Sequence, residues 1–93
     1  MERVENHDVA TLDDLKPGEE AVITGYSQHL EDELRVLEMG LIIGSVVRLV
    51  KCAPFGDPIQ IRVRGADLSL RRAIARGILT QPIDVLDYDR RRN

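Results

Sequence analysis

The stretch Ile59–Arg64 constrains the fold more than any other part of the sequence, because its apolar and polar residues alternate without a break. Such alternation is the period of a β-strand with one buried face. The apolar face carries three residues and the polar face the other three: Ile59, Ile61 and Val63 against Gln60, Arg62 and Arg64. Gly65-Ala66 predicts a tight turn with glycine first, and Asp67–Leu70 resumes the alternation. The sequence therefore predicts a β-hairpin here.

Three more strands are predicted around this hairpin. Glu20–Tyr26 and Ser45–Cys52 are apolar runs of strand length, and Gly25 marks a bend or bulge in the first of them. Pro82 interrupts the chain, and the apolar residues in 83–86 predict a closing strand. Five short strands in a chain of this size indicate a small, curled sheet.

The clearest helix is predicted over Ser27–Met39, where leucines recur at helical spacing. Gly40 stands where a left-handed C-cap is expected. Thr11 is placed to cap a single helical turn over Leu12–Leu15. A second short helix is predicted over Arg71–Ile78, with its arginines in solvent.

These elements predict a mainly β fold: an SH3-like barrel of about five strands, with one longer and one or two short helices. Closing the sheet into a barrel removes strand edges that would otherwise invite aggregation. The 93 residues have room for one domain. We expect that domain over 11–86, preceded by a flexible segment, 1–10, and followed by a charged tail, 87–93.

Composition predicts a soluble, cytosolic protein. Cys52 is the single cysteine, so no internal disulfide can form, and this suits a reducing compartment. No signal peptide is recognisable, and no apolar run approaches the ~20 residues that span a bilayer. Any contact with a membrane is therefore expected to come through a partner.

The net charge of −3 conceals two oppositely charged halves. Residues 1–38 carry eleven acidic and three basic side chains, whereas 39–76 carry seven basic and two acidic ones. The simplest explanation is that the two segments lie side by side and pair on the surface. The alternative is a field that steers a charged partner.

No catalytic constellation is recognisable. Cys52 ends an apolar strand and is expected to be a buried structural thiol, and nothing in the sequence supports a dyad with His29. The glycines fit neither a phosphate-binding loop nor a dinucleotide fingerprint. We therefore expect no enzyme activity and no cofactor.

Two other kinds of binding, of metal and of nucleic acid, fit the sequence less well than peptide binding. A metal site could use His29 and the acidic residues of the predicted helix, but Glu31 and Arg35 are spaced as an ion pair and transition metals favour clustered His or Cys. Nucleic acid could use the arginines of 62–76, but the chain is acidic and aromatic residues make up only 3% of it.

A protein-binding role fits the sequence best. Small barrels hold extended partner segments in grooves between their loops. The apolar run around the end of the predicted helix exceeds the need of so small a core, and Ile42 and Ile43 are expected to be partly exposed. The predicted contact residues lie there, with two rim charges on the hairpin: Leu37, Glu38, Met39, Gly40, Leu41, Ile42 and Gly44, with Arg62 and Arg64.

Several spaced motifs resemble the FeoA family. They occur in the family's order over about Thr11–Leu86: Lys16-Pro17-Gly18-Glu19, Leu37–Gly44, Val46–Val50, Ala53–Ile59, Val63-Arg64-Gly65 and Leu68–Arg71. One departure is visible, because the family commonly has proline where Ile43 precedes Gly44.

The resemblance implies an SH3-like barrel that serves as a cytosolic, non-enzymatic accessory to a FeoB-type ferrous-iron permease. The implied partner is the permease's cytosolic GTP-binding domain, and weak homo-oligomerisation stays open. The same domain also ends the DtxR-type metal-dependent repressors. A transition-metal-binding sensor module is therefore the alternative function.

Overall fold

The structure, a computed structural model, describes residues 10–83 of the chain. Six antiparallel strands form one sheet in the order β1-β6-β2-β3-β4-β5. The strands are β1 (Ala10–Thr11), β2 (Glu20–Tyr26), β3 (Val46–Cys52), β4 (Ile59–Val63), β5 (Ala66–Leu70) and β6 (Ile78–Pro82). Two short helices, α1 (Glu33–Glu38) and α2 (Arg72–Ala75), accompany them, with a 3₁₀ turn at Leu12–Asp14. The predicted mainly β fold is confirmed.

The two ends of the sheet are brought together by the helical turns that follow them. The 3₁₀ turn follows β1, and α2 follows β5. Asp13 of the 3₁₀ turn forms an ion pair with Arg72 of α2, with 2.6 Å between Asp13 Oδ1 and Arg72 Nη1. Its other carboxylate oxygen lies 3.4 Å from Nε of Arg76. The sheet is therefore curled, and at this point one acidic residue of 1–38 pairs with two basic residues of 39–76, which is part of the predicted pairing.

The core lies inside the curl and follows the predicted alternation. The three apolar residues of β4 are buried, while Arg62 between them is exposed. Buried apolar side chains from the other elements complete one cluster: Leu12, Ile23, Val36, Leu41, Val47, Leu49, Leu70, Ala75 and Ile78. Strand β2 has the predicted bounds, and its register with β6 shifts between Ile23 and Gly25, which confirms the predicted bulge.

The turn of the β4–β5 hairpin differs from the prediction by one residue. Val63 pairs with Ala66, so the two-residue loop is Arg64-Gly65 and glycine comes second. Both loop residues have positive φ, 51° at Arg64 and 80° at Gly65. Paired positive φ angles are the mark of a type I′ turn, whose twist matches that of the flanking strands. Arg64 therefore leaves the strand and does not share a face with Arg62.

The first helix is shorter than predicted. It begins at Glu33 because Asp32 has φ 57°, a left-handed conformation that an α-helix cannot include. Ser27 does not cap it; its hydroxyl accepts a hydrogen bond from the His29 backbone N–H at 3.0 Å. The new start changes the buried face. Val36 is fully buried, whereas Leu34 is 69% exposed.

Strand β6, at Ile78–Pro82, was not predicted. Of the predicted closing strand over 83–86, residues 84–86 lie outside the described residues, and Ile83 is not in a strand. Helix α2 ends after one turn, and Gly77 follows so close to Leu30 that a Cβ on it would lie 2.8 Å from Leu30 Cδ1. Glycine there lets the chain turn into β6. Ala10 was predicted to belong to a flexible segment but pairs with Thr80. The predictions for 1–9 and for 84–93, including the charged tail, lie outside the described residues.

Over residues 10–83, no helix has the length and apolar character needed to cross a membrane.

Because Val36 and not Leu34 is buried in α1, alanine substitutions at these two residues should have different effects on stability. Val36→Ala removes buried methyl groups and should lower the free energy of unfolding by about 1–2 kcal/mol. Leu34→Ala removes exposed methyl groups and should change it by less than about 0.5 kcal/mol. Urea denaturation of both variants measures the difference. A larger loss for Leu34→Ala would restore the longer helix of the sequence prediction.

Candidate partner-binding surface

Four exposed apolar side chains lie close together in sequence on α1 and on the loop between α1 and β3. Leu34 and Leu37 are three apart on the helix and so share a face. Ile42 and Ile43 follow in the loop, 43% and 61% exposed. We call these four residues the apolar surface. Exposed apolar side chains that are concentrated in one short segment are candidates for a binding surface.

The end of α1 is built so that the chain leaves it in a fixed direction. Gly40 has φ 89°. Its N–H donates to the Leu37 carbonyl at 3.0 Å, and the Leu41 N–H donates to the Val36 carbonyl at 3.2 Å. This pair of bonds is the Schellman motif, so the predicted glycine C-cap is confirmed. The motif turns Leu41 into the core and leaves Ile42 outside.

A second turn presents Ile43. The Ser45 N–H donates to the Ile42 carbonyl at 3.0 Å, and Gly44, third in the turn, has φ 95°. Positive φ at the third residue is typical of a type II turn, in which proline is common at the second position. Ile43 occupies that second position. The departure from the family's proline therefore places an apolar side chain in solvent.

Tyr26 attaches this loop to the end of β2. Its hydroxyl donates a hydrogen bond to the Leu41 carbonyl at 2.7 Å. Burial raises the pKa of the Tyr26 phenol above its ordinary value, so the group stays a donor throughout the physiological pH range. The Gly44 N–H adds a bond to the Ile23 carbonyl at 2.8 Å. Two points of β2 therefore hold the loop.

Arg64 holds the same loop from the other side. Its Nη1 donates to the Gly40 carbonyl and its Nη2 to the Ser45 hydroxyl, both at 2.7 Å. The side chain thus joins the β4–β5 turn to both ends of the 40–45 segment. Arg64 was predicted as a rim charge, but its guanidinium is engaged within the chain.

Arg62 is likewise engaged. Its Nε lies 2.7 Å from a carboxylate oxygen of Asp67, directly across the hairpin. The hydrogen bond from Arg62 lowers the pKa of Asp67. Gln60 donates to the same carboxylate at 3.0 Å. With Arg72 and Arg76 paired to Asp13, four of the five arginines considered for a nucleic-acid patch make internal contacts.

The predicted contact residues are therefore only partly available to a partner. Leu41 is fully buried and belongs to the core, which corrects its assignment, and Met39 is half-buried against that core. Besides the two internally paired arginines, the exposed members of the prediction are Leu37, Glu38, Ile42 and Gly44, while Gly40 is half-buried. Leu34 and Ile43 complete the surface. Leu34 was not among the predicted contact residues, although its spacing of three residues from Leu37 indicates a shared helix face.

Residues considered for chemistry are dispersed. His29 is exposed, and Cys52, predicted to be buried, is half-buried with its Sγ 3.2 Å from Arg72 Nη2. The predicted Glu31–Arg35 ion pair does not occur among the ion pairs of residues 10–83. Within the same range, no three His, Cys, Asp or Glu side chains cluster as a metal site would require.

Comparison with known proteins identifies the family. The model of the FeoA domain matches residues 10–82, nearly all of the described chain. The chain belongs to the FeoA family. The resemblance inferred from its sequence motifs is confirmed, and with it the family's association with ferrous-iron transport.

Three similar proteins support this family assignment. A Fe(2+) transport protein A/Fe(2+) transporter FeoB fusion protein from Porphyromonas gingivalis is 38% identical over 61 residues, which is 66% of this chain but 7% of the fusion. The FeoA-like protein from Clostridium acetobutylicum superposes with a TM-score of 0.76 and 27% identity, over 83% of this chain and 90% of that one.

The third relative confirms the fold. FeoA from Stenotrophomonas maltophilia, described as a prokaryotic SH3 domain protein and crystallised with zinc, has a TM-score of 0.66 and 24% identity. The superposition covers 84% of this chain and 93% of the other. The SH3-like barrel predicted for this FeoA domain is therefore present.

The Arg64 contacts predict a local effect on the loop. Arg64→Asn keeps a residue that tolerates positive φ but removes the guanidinium. It should lower the free energy of unfolding by about 1 kcal/mol and speed amide hydrogen exchange between Gly40 and Ser45.

Arg48→Asn is the matched control, because Arg48 is exposed on β3 and makes no ion pair within residues 10–83. Exchange should rise in the 40–45 segment only for Arg64→Asn. Equal exchange in the two variants would show that Arg64 does not hold the loop.

Proposed function

We propose that this FeoA domain is a non-enzymatic accessory of ferrous-iron uptake that binds a FeoB-type permease from the cytoplasm. The observation that carries the proposal is the fusion protein of Porphyromonas gingivalis, in which FeoA and FeoB are parts of one chain. Domains that are joined covalently in one organism commonly associate as separate chains in another. The proposed contact on the permease is its cytosolic GTP-binding domain.

The apolar surface is the proposed point of contact on the FeoA domain. Burying one isoleucine or leucine side chain contributes roughly 1.5–3 kcal/mol when it is fully withdrawn from water. Because Ile42 and Ile43 are only partly exposed, each can contribute about 1 kcal/mol or somewhat more. Two or three such side chains are enough to form the apolar centre of an interface.

Acidic side chains border this apolar centre. Glu33 and Glu38 are exposed at the two ends of α1. A polar, charged rim around an apolar centre is the usual anatomy of a protein–protein interface. These carboxylates favour a permease surface with basic residues around an apolar patch.

The backbone of the loop that carries Ile42 and Ile43 is already fixed in the unbound domain. The hydrogen bonds from Tyr26 and Arg64, together with the Schellman motif, fix the backbone around Ile42 and Ile43. Ordering a flexible loop on binding would cost free energy, which a preorganised loop does not lose. This supports recognition by the loop and not by α1 alone.

Replacing both isoleucines should weaken binding without unfolding the domain. The double variant Ile42→Asp with Ile43→Asp places two charges in the apolar centre and should raise the Kd for purified permease at least tenfold. Calorimetric titration into permease in detergent measures the Kd. Circular dichroism checks the fold.

Phe55→Asp is the control, because Phe55 is an equally apolar side chain that is 99% exposed on the β3–β4 loop. Its Kd should match that of the unmodified domain. If Phe55→Asp weakens binding and the double isoleucine variant does not, the contact surface is wrongly assigned. Repeating the titration with the isolated GTP-binding domain tests that part of the proposal separately.

A further inference from the structure

A groove lies between α1 and the segment where β5 runs into α2. Its volume is about 190 Å³, and side chains of all three elements line it: Arg35, Val36, Met39, Ser69, Leu70, Arg71 and Ile74. Helix α1 contributes residues to both the groove and the apolar surface, but the groove lies between α1 and β5.

The groove has an apolar floor and a basic rim. Val36 and Leu70 are buried, and Met39 and Ile74 are half-buried against the core. Arg35 and Arg71 are exposed, and neither forms an ion pair or a side-chain hydrogen bond with any other residue of 10–83. These two arginines contrast with Arg62, Arg64, Arg72 and Arg76, which are all engaged.

Strand β5 is an edge strand of the sheet formed by residues 10–83, and it lies beside the groove. Within that range it pairs with β4 alone, in the register that sets Val63 against Ala66 and Ile61 against Leu68. In a two-residue hairpin the pair next to the loop exchanges both hydrogen bonds, and every second pair after it does the same. The N–H and C=O groups of Asp67 and Ser69 therefore point away from β4. These outward-pointing groups form no backbone hydrogen bond with any residue of 10–83.

We propose that this groove binds an extended, acidic segment of the permease by strand addition to β5. The segment's backbone pairs with the outward groups of Asp67 and Ser69, as in other complexes formed by β-augmentation. Alternate apolar side chains enter the floor, and a carboxylate lies between Arg35 and Arg71. The inference rests on the proposed function for the identity of the partner.

The basic rim favours an acidic segment of the permease over a second copy of this chain as the occupant of the groove. Pairing β5 with β5 of another copy would bring the basic rims of two grooves together, and like charges across an interface oppose association. An acidic segment instead pairs with both guanidiniums. The groove and the apolar surface would then contact two different parts of one partner.

Two variants test the groove by independent routes. Ser69→Pro removes only an N–H that points away from β4, a position at which an edge strand tolerates proline. Arg35→Glu with Arg71→Glu reverses the rim charge and leaves the backbone unchanged. Each should raise the Kd for purified permease about tenfold, and salt should weaken binding of the unmodified domain more than binding of the charge-reversed one.

Arg48→Glu is the matched control for the charge reversal and should bind like the unmodified domain, and circular dichroism should show that Ser69→Pro keeps its fold. Unchanged affinity in Ser69→Pro and in the charge-reversed variant, with the double isoleucine variant still weakened, overturns the groove and leaves the proposed function standing. Failure of the unmodified domain to bind permease overturns both. Sedimentation showing a dimer that Ser69→Pro dissociates would assign the edge to self-association instead.

Discussion

The contact between Asp13 and Arg72 links the two ends of the sheet, and much of the remaining structure depends on it. Besides that ion pair, the Arg72 guanidinium donates to the Gly56 carbonyl and contacts Cys52 Sγ, while its backbone N–H donates to Asp57. The carboxylate of Asp13 raises the pKa of Arg72. One side chain thus holds together the first turn, the β3–β4 loop and α2, three segments distant in sequence.

Arg64 performs a similar task at the opposite end of the β4–β5 hairpin, where it connects the hairpin turn to the loop that carries Ile42 and Ile43. In a domain with so small a core, side-chain hydrogen bonds to backbone carbonyls supply part of the rigidity that packing supplies in larger proteins. The arginines that hold the fold are therefore unavailable to partners. Arg35 and Arg71, which make no such contacts within the described residues, remain the candidates for recognition.

Local patterns predicted much of this fold from the sequence. The alternation in β4, the bounds of β2 and the glycine C-cap at Gly40 each depend on neighbouring residues, and all are confirmed. The length of α1 could not be predicted, because the left-handed backbone at Asp32, which sets the start of the helix, is not marked by glycine. The role of Arg64 depends on Gly40, 24 residues away, so no local pattern could reveal it.

The loop after α1 and the groove beside it are proposed to contact one partner. The most direct measurement is an NMR titration of the isotopically labelled domain with the permease's isolated GTP-binding domain, with and without nucleotide. The account predicts saturable shifts in two connected regions, Leu34–Ser45 and Asp67–Arg71. Shifts confined to the β3–β4 loop around Phe55, on the part of the chain that Arg72 holds, would contradict it.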